Sequence, residues 1–492
     1  MGSIRKPLLP DSGNENGDET RSDVVVDQTR SAGVWMELRK QFDLGGYLVV
    51  ANLMQYSIWV ISSMFVGHLG VLELSSATLA TSFASVTGFT VLMGLSTGLE
   101  TLCGQAYGAK NYHLLGVYVQ AATLVLLAVC VPISFVWLNM EKVLSALGQD
   151  PEISAAAGVY FVWLSPSLFA SAISQPIVKF LQAQSAVFPI MLCSVLTVLA
   201  HIPTCYLLVF KLGLGFHGGA LAGTIALYVN LFLLLLYVYF SNEFDETWKG
   251  LTREAFGAIT IFLKLAIPSV AMICLEYWAF EVLVLLAGYM PNPQLEVSLL
   301  SICLTTGALT YMIPMGLSGA VSTRVSNELG ADRPAAAKFA VKVVVCISIA
   351  VASIIATTEF LVRNVWGKAF TDDANVVHRV AQVMPLIAIA SFLDGIQGVL
   401  SGVARGCGWQ ETGAWVNLGS YYVVGLPAAF VLGFYFQYGG LGLWFGFYCG
   451  LVLQTGTLTI LTVMINWKQM AEDAQTRVKA PVASEAESPL LV

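Results

Sequence analysis

The sequence predicts an all-α membrane protein of about 12 transmembrane helices, arranged as two six-helix lobes related by an internal repeat. Three observations predict it. Of 492 residues, 57% are hydrophobic and only 11% are charged, against about 25% charged in an ordinary soluble domain. About twelve apolar runs approach the roughly 20 residues that a helix needs to cross a bilayer; barrel strands would be about ten residues long and would alternate in polarity. The third is that the two halves of the chain echo each other.

In chain order the spans fall at 44–67, 75–99, 117–138, 155–177, 187–209 and 218–240, and then at 262–288, 296–320, 340–362, 379–402, 414–436 and 440–465. Residues 1–40 read as a cytosolic, disordered tail, with no apolar segment and cleavage site of a signal peptide. Residues 41–240 form the N-lobe, and the polar stretch within 241–260 is a cytosolic linker. Residues 261–466 form the C-lobe, and 467–492 a second polar, disordered cytosolic tail. Lys142, Lys211, Arg363 and Lys368 are the basic residues in loops on the far side, while most of the 24 Lys and Arg lie in tails and loops on the side of the termini. That bias places both termini in the cytosol. Pro176 and Pro314, in or near span ends, are candidate kinks. The nine cysteines stand singly without metal or disulfide spacing, as small packing residues. Leu-Leu pairs at Leu8-Leu9 and Leu490-Leu491 are weak sorting signals.

The repeat is read from short strings. Met93-Gly94-Leu95-Ser96 recurs as Met315-Gly316-Leu317-Ser318, Thr101 falls on Thr323, and Gly108-Ala109 on Gly330-Ala331. Gln55-Tyr56 matches Glu276-Tyr277, Gly67 matches Gly288, and Gly218-Gly219 matches Gly439-Gly440. Six spans therefore repeat as six in parallel orientation, an organisation common in transporters that rock two bundles about a central site.

Acids inside the spans are the candidate chemistry, because one near mid-bilayer costs roughly 2.5–3.5 kcal/mol and is seldom kept without a use. Glu281 lies in CLEYWAFEVLVLLAGYM and Asp394 in AQVMPLIAIASFLDGIQGVL. Neither has an acidic twin in the first half. Glu276 is five positions before Glu281, about 140° round the helix, so the two cannot point the same way; it is either a second cavity acid or a helix-interface residue. Tyr277, Trp278, Tyr311, Gln397, Asn417 and Tyr421 could form a cavity wall, since organic cations favour aromatic faces. Each could equally pack between helices. Glu100, Arg324, Glu328 and Arg405 read as charge pairs that hold loops together.

Longer strings carry a resemblance. VGHLGVLELSSATLATSFASVTGF, MGLSTGLETLCGQAYGAKNYHLLG, CLEYWAFEVLVLLAG, STRVSNELGADRP and LSGVARGCGWQ together resemble the multidrug and toxic compound extrusion family, specifically its plant DETOXIFICATION branch, from about residue 40 to 466. The resemblance implies a V of two six-helix lobes that expels bulky, often cationic organic compounds in exchange for protons. It also implies a proton site in the C-lobe, carried onto Glu281 and Asp394. The aspartate that some prokaryotic relatives have in the first helix is absent from NLMQYSIWVISSMFVG.

Other classes fit less well. Gly213, Gly215 and Gly218 have GxGxxG spacing but join two spans, and no acid follows about 20 residues on. There is no Walker A string, no metal spacing among His68, His113, His201, His217 and His378, and no nucleophile constellation. The expectation is a non-enzyme without metal or cofactor, driven by a proton gradient. It would act as a monomer on small organic substrates, amid membrane lipid and without nucleic acid, in the vacuolar or plasma membrane. A lipid flippase, a membrane-embedded enzyme and a channel are the alternatives.

Overall fold

The computed structural model describes residues 15–287, 289–290, 293–370 and 374–479. Its helices run α1 Glu15–Gly67, α2 Leu72–Gly108, α3 Tyr112–Leu138, α4 in two parts (Pro151–Leu164 and Pro166–Ala183), α5 Phe188–Lys211 and α6 Gly215–Phe240. The second half has α7 Glu254–Ala287, α8 Pro293–Gly330, α9 Pro334–Ala369, α10 Ala374–Cys407, α11 Gln410–Tyr435, α12 Gly439–Val463 and α13 Trp467–Lys479. Every expected span lies within one of α1–α12 to within two residues, and the end of the seventh, at Gly288, lies outside the described residues.

Ten of these helices are long and apolar enough to cross a membrane, and α4 adds an eleventh as a pair bent by 47°. That break falls at Ser165-Pro166; Pro176 and Pro314 stand inside helices. Asp150 starts α4 by accepting hydrogen bonds from the backbone N–H groups of Glu152 and Ile153 (2.9 and 3.2 Å), with Pro151 at the first helical position, where no N–H is needed. The remaining expected span, 296–320, lies in α8. Its Ser318, Ser322, Thr323 and Ser326 are buried and turn towards neighbouring helices rather than lipid.

The repeat is visible in the backbone. Residues with left-handed φ recur at matching turns: Lys110 (φ 60) with Asp332 (φ 56), and Gly215 (φ 52) with Gln437 (φ 57). Helix contacts follow the same relation. Gly94 on α2 lies against Val270 on α7, and Gly316 on α8 lies against Val49 on α1. Where α2 meets α8, Gly108 touches the Asn327 carbonyl and Gly330 touches the Gln105 carbonyl, with no room for a side chain at either glycine. The two lobes thus close on each other through glycines that the repeat places in pairs.

The tails differ from expectation. Residues 33–40 continue α1, and buried Glu37 receives Arg324 from the other lobe (2.9 Å). Residues 467–479 form α13, which buries Trp467, Met470, Ala471, Ala474 and Val478. These positions share one face at helical spacing, an apolar stripe hidden by polar overall composition. Gln475 donates to the Gly330 carbonyl (2.6 Å), and Arg477 donates to Gln105 Oε1 and to the Cys407 carbonyl (both 3.0 Å). So α13 touches both lobes. The leucine pairs at 8–9 and 490–491 lie outside the described residues.

Candidate functional site

Glu276 is the centre of a buried polar network in the C-lobe. Its Oε2 accepts from Gln397 Nε2 on α10 (3.1 Å), from Asn417 Nδ2 on α11 (3.4 Å) and from Gln454 Nε2 on α12 (3.4 Å). The donors are themselves fixed. Asn417 Nδ2 also donates to the Met272 carbonyl (2.6 Å), Gln454 Nε2 to Asn417 Oδ1 (2.8 Å), and Tyr421 Oη to Gln454 Oε1 (2.7 Å). Tyr421 lies in a π-helical segment, Leu418–Gly425; such segments rotate side chains out of α register and often mark functional sites. Buried carboxylates need partners of this kind.

Asp394 is half-buried one turn along α10 from Gln397 and has no hydrogen-bond partner among the described residues. The charges that act on it are those of Glu276 and Glu359. Tyr277 and Tyr311 lie within the field of both Glu276 and Asp394, and the Tyr311 ring packs beside Gly398 of α10.

Glu281 is elsewhere. Its carboxylate accepts from Ser82 Oγ of the N-lobe (3.1 and 3.3 Å). The five-residue separation that turns Glu276 and Glu281 to different faces sends Glu276 into the C-lobe and Glu281 to the cleft. Trp278 follows Glu281: it is 41% exposed and donates to the Val86 carbonyl of α2 (3.2 Å). Gln397, Asn417 and Tyr421, expected as cavity wall, have no accessible surface; Gln397 and Asn417 are bonded to Glu276, and Tyr421 to Gln454. Gln454, Ser401 and Glu359 were missed in the sequence, although each is a polar residue inside an apolar run and could have been listed on that ground.

The lobes are sealed at the end on which α13 packs. Glu100 of α2 receives Lys179 of its own lobe (2.6 Å) and Arg405 of the other (3.0 Å). Arg405 also donates to Ser318 Oγ (2.7 Å), Gln182 to the Gly319 carbonyl (3.0 Å), and Asn327 to the Ala183 carbonyl (3.0 Å). Arg324 and Arg333 share Glu328 (2.9 Å each). Charge pairs expected to hold loops therefore join helices, and two of them, Glu100–Arg405 and Glu37–Arg324, cross between lobes. In the other half of the cleft, the side-chain hydrogen bonds between lobes among the described residues are Ser82–Glu281 and Trp278–Val86.

Two repeated helical lobes, closed on each other at one end and carrying buried acids in one of them, define a multi-pass membrane transporter. A family model described as MatE matches the chain twice, at residues 48–207 and 268–431, once per lobe. Protein DETOXIFICATION 16 of Arabidopsis thaliana is 51% identical over 444 residues, 90% of this chain and 91% of the relative. Protein DETOXIFICATION 17 of the same plant is 50% identical over 90% of this chain and 93% of its own. The crystal structure of the eukaryotic MATE transporter AtDTX14 superposes with a TM-score of 0.88 at 43% identity, covering 91% of this chain and all of that one. The chain belongs to the MatE family and is a transporter of the DETOXIFICATION type, not an enzyme.

Proposed function

We propose that the protein is a proton-coupled antiporter that exports organic compounds, often cationic secondary metabolites or xenobiotics, from the cytosol by alternating access. The observation that carries this reading is the placing of Glu276, buried among three amide donors, with Asp394 in its field and no hydrogen bond to hold Asp394's charge. Two like charges in a low-dielectric interior resist joint ionisation and titrate as a pair. A proton and an organic cation are alternative ways to neutralise them. Binding of one therefore favours release of the other, which is the coupling an exchanger needs. Tyr277 and Tyr311 beside the acids offer aromatic faces to an incoming cation.

The lobes, 41–240 and 261–466, rock as units, with both termini in the cytosol and the sealed end facing it. Protons enter from the far side, which is the vacuolar lumen or the cell exterior. Among the described residues no group of three or more His, Cys, Asp or Glu is placed to hold a metal ion. We assign the proton site to Glu276 and Asp394, and give Glu281 a place in the cleft between lobes.

The test is uptake of a panel of labelled organic cations, flavonoids and organic acids into proteoliposomes under an imposed pH gradient, with a sodium gradient as the second arm. Glu276→Gln and Asp394→Asn each abolish gradient-driven transport, and Glu281→Gln keeps its pH dependence. Sodium-driven transport, or normal pH-driven transport in either of the first two variants, overturns the reading.

A further inference from the structure

Glu359 on α9 is a third acid of the C-lobe that the reading above leaves unused. It is 5% exposed. Ser391 Oγ of α10 donates to its Oε1 (2.9 Å), while its Oε2 is buried without a hydrogen-bond partner. On α12 the hydroxyl of Tyr448 is likewise buried and unpartnered, and it lies in the field of both Asp394 and Glu359. Along α10 the residues Gln397, Asp394 and Ser391 are spaced by three, so each stands about 60° round the helix from the next, and they climb about 4.5 Å per step. The bottom step bonds Glu276, and the top step bonds Glu359. The climb runs away from the sealed end.

Charged and titratable neighbours are few. From α10 come Asp394 and the Ser391 hydroxyl, and from α12 comes Tyr448. On α8, Thr310 is within reach of Glu359, but its hydroxyl donates to the Thr306 carbonyl (3.1 Å). On α9 itself, Arg363 is one turn on, and its guanidinium lies 4.3 Å from the Phe360 ring centre rather than on the carboxylate. Helices α1 and α13 also meet α9, where Leu38, Met470, Val341 and Val344 belong to one apolar cluster. No ion pair reaches Glu359 or Asp394 among the described residues. A buried carboxyl with an unpartnered oxygen and no cation beside it is a candidate to take up a proton, and Tyr448 presents an unpartnered hydroxyl in the field of both acids.

We propose that Glu359 is the outer station of a three-carboxyl proton path, Glu359–Asp394–Glu276, that joins the proton site to the far side of the membrane. It rests on the proton-coupled reading above and extends it by one binding site. In each transfer an O–H bond on one carboxyl breaks as an O–H bond forms on the next, the negative charge moves the opposite way, and no other reagent takes part. When Tyr448 bridges such a step, it gives its proton to the ionised carboxylate as it receives one from the protonated carboxyl, and the phenol is restored.

The proton itself is the probe. Acid-minus-neutral infrared difference spectra of the purified full-length protein in nanodiscs report each carboxyl that takes up a proton. Glu359→Gln, which keeps shape and hydrogen bonding, removes one carboxyl band and shifts the titration of the band lost in Asp394→Asn. In proteoliposomes the same variant slows pH-gradient-driven ethidium transport by roughly tenfold or more at neutral outer pH, recovers at acidic outer pH, and keeps exchange at equal pH within about twofold. Unchanged bands in Glu359→Gln, or a loss of transport that is the same at every pH, overturn the proposal. If wild-type protein itself shows no pH-driven transport, the coupling reading fails instead, and the infrared bands still decide whether Glu359 binds a proton. Should Glu359→Gln not reach a folded state, Ser391→Ala removes only the hydroxyl on Oε1 and shifts the Glu359 band; no shift counts against the path.

Discussion

Arg405→Gln should loosen the sealed end by a predictable amount. In the closed interface Arg405 gives one charge-assisted hydrogen bond to Glu100 across the lobes and one to Ser318 within its own lobe. Opening this end breaks the first and keeps the second. A hydrogen bond to a charged group contributes about 1.5–3 kcal/mol. Glu100 keeps Lys179 at 2.6 Å, so its charge is not left unpaired. The closed state therefore loses about 1.5–3 kcal/mol, a shift of roughly 10- to 150-fold. A protein held 99:1 closed would move to between roughly 10:1 and 1:1. Glu100→Gln should do more, because it leaves Lys179 and Arg405 as two buried cations with no carboxylate, a loss of about 3–5 kcal/mol. Arg39→Gln removes an exposed pair with Asp43 and should do nothing measurable. Spin labels at Lys110→Cys and Asp332→Cys, in the α2–α3 and α8–α9 turns, report the separation of the lobes by pulsed dipolar spectroscopy, after exposed Cys346 and Cys449 are replaced. The expected order of opening is Glu100→Gln, then Arg405→Gln, then Arg39→Gln equal to wild type. Identical distance distributions for all four would refute a seal held by Arg405.

Gly330→Val places a side chain against the Gln105 carbonyl, where no atom fits; overpacking of this kind costs about 1–3 kcal/mol and should widen the same label distance while each lobe stays folded by circular dichroism. Arg477→Ala removes the two bonds from α13 to Gln105 and Cys407, so amide exchange in 467–479 should accelerate, by roughly tenfold for a loss of about 1.5 kcal/mol.

The fold was legible because membrane spans are the longest-range signal a sequence carries, and because a lobe repeat doubles the signal. The bend at Ser165-Pro166 was missed since proline position alone does not separate a tolerated proline, such as Pro176 or Pro314, from a break. The helical tail 467–479 was missed because five apolar residues on one face barely move an average composition. At the site, the sequence located α7 and α10 as the helices with acids. Periodicity showed that Glu276 and Glu281 part company, yet it cannot say which face of a lipid-bound helix looks inward. That depends on α11 and α12, whose Asn417 and Gln454 come from more than 130 residues downstream. Glu359 escaped notice near the end of an otherwise apolar run, where an acid reads as a boundary.

The repeat also isolates what the C-lobe adds. Gln55 of α1 and Glu276 of α7 occupy matched positions, and each bonds the fifth helix of its own lobe, in opposite directions: Gln55 Nε2 donates to Ser194 Oγ of α5 (3.2 Å), whereas Glu276 accepts from Asn417 of α11. The exchange of amide for carboxylate reverses that bond and puts charge in one lobe alone. A buried carboxylate changes its electrostatic cost with every proton it gains or loses, whereas an amide has one state. The N-lobe is then a fixed wall against which the C-lobe changes charge. Gln55→Ala tests this directly. Ser194 retains its bond to the Ile190 carbonyl (2.9 Å), so the loss is that of one neutral hydrogen bond, about 1 kcal/mol, read as a small drop in melting temperature. The pH profile of transport should superpose on wild type after scaling for the amount of folded protein. A displaced profile would mean that the N-lobe network takes part in proton binding, and the division of labour between lobes would have to be abandoned.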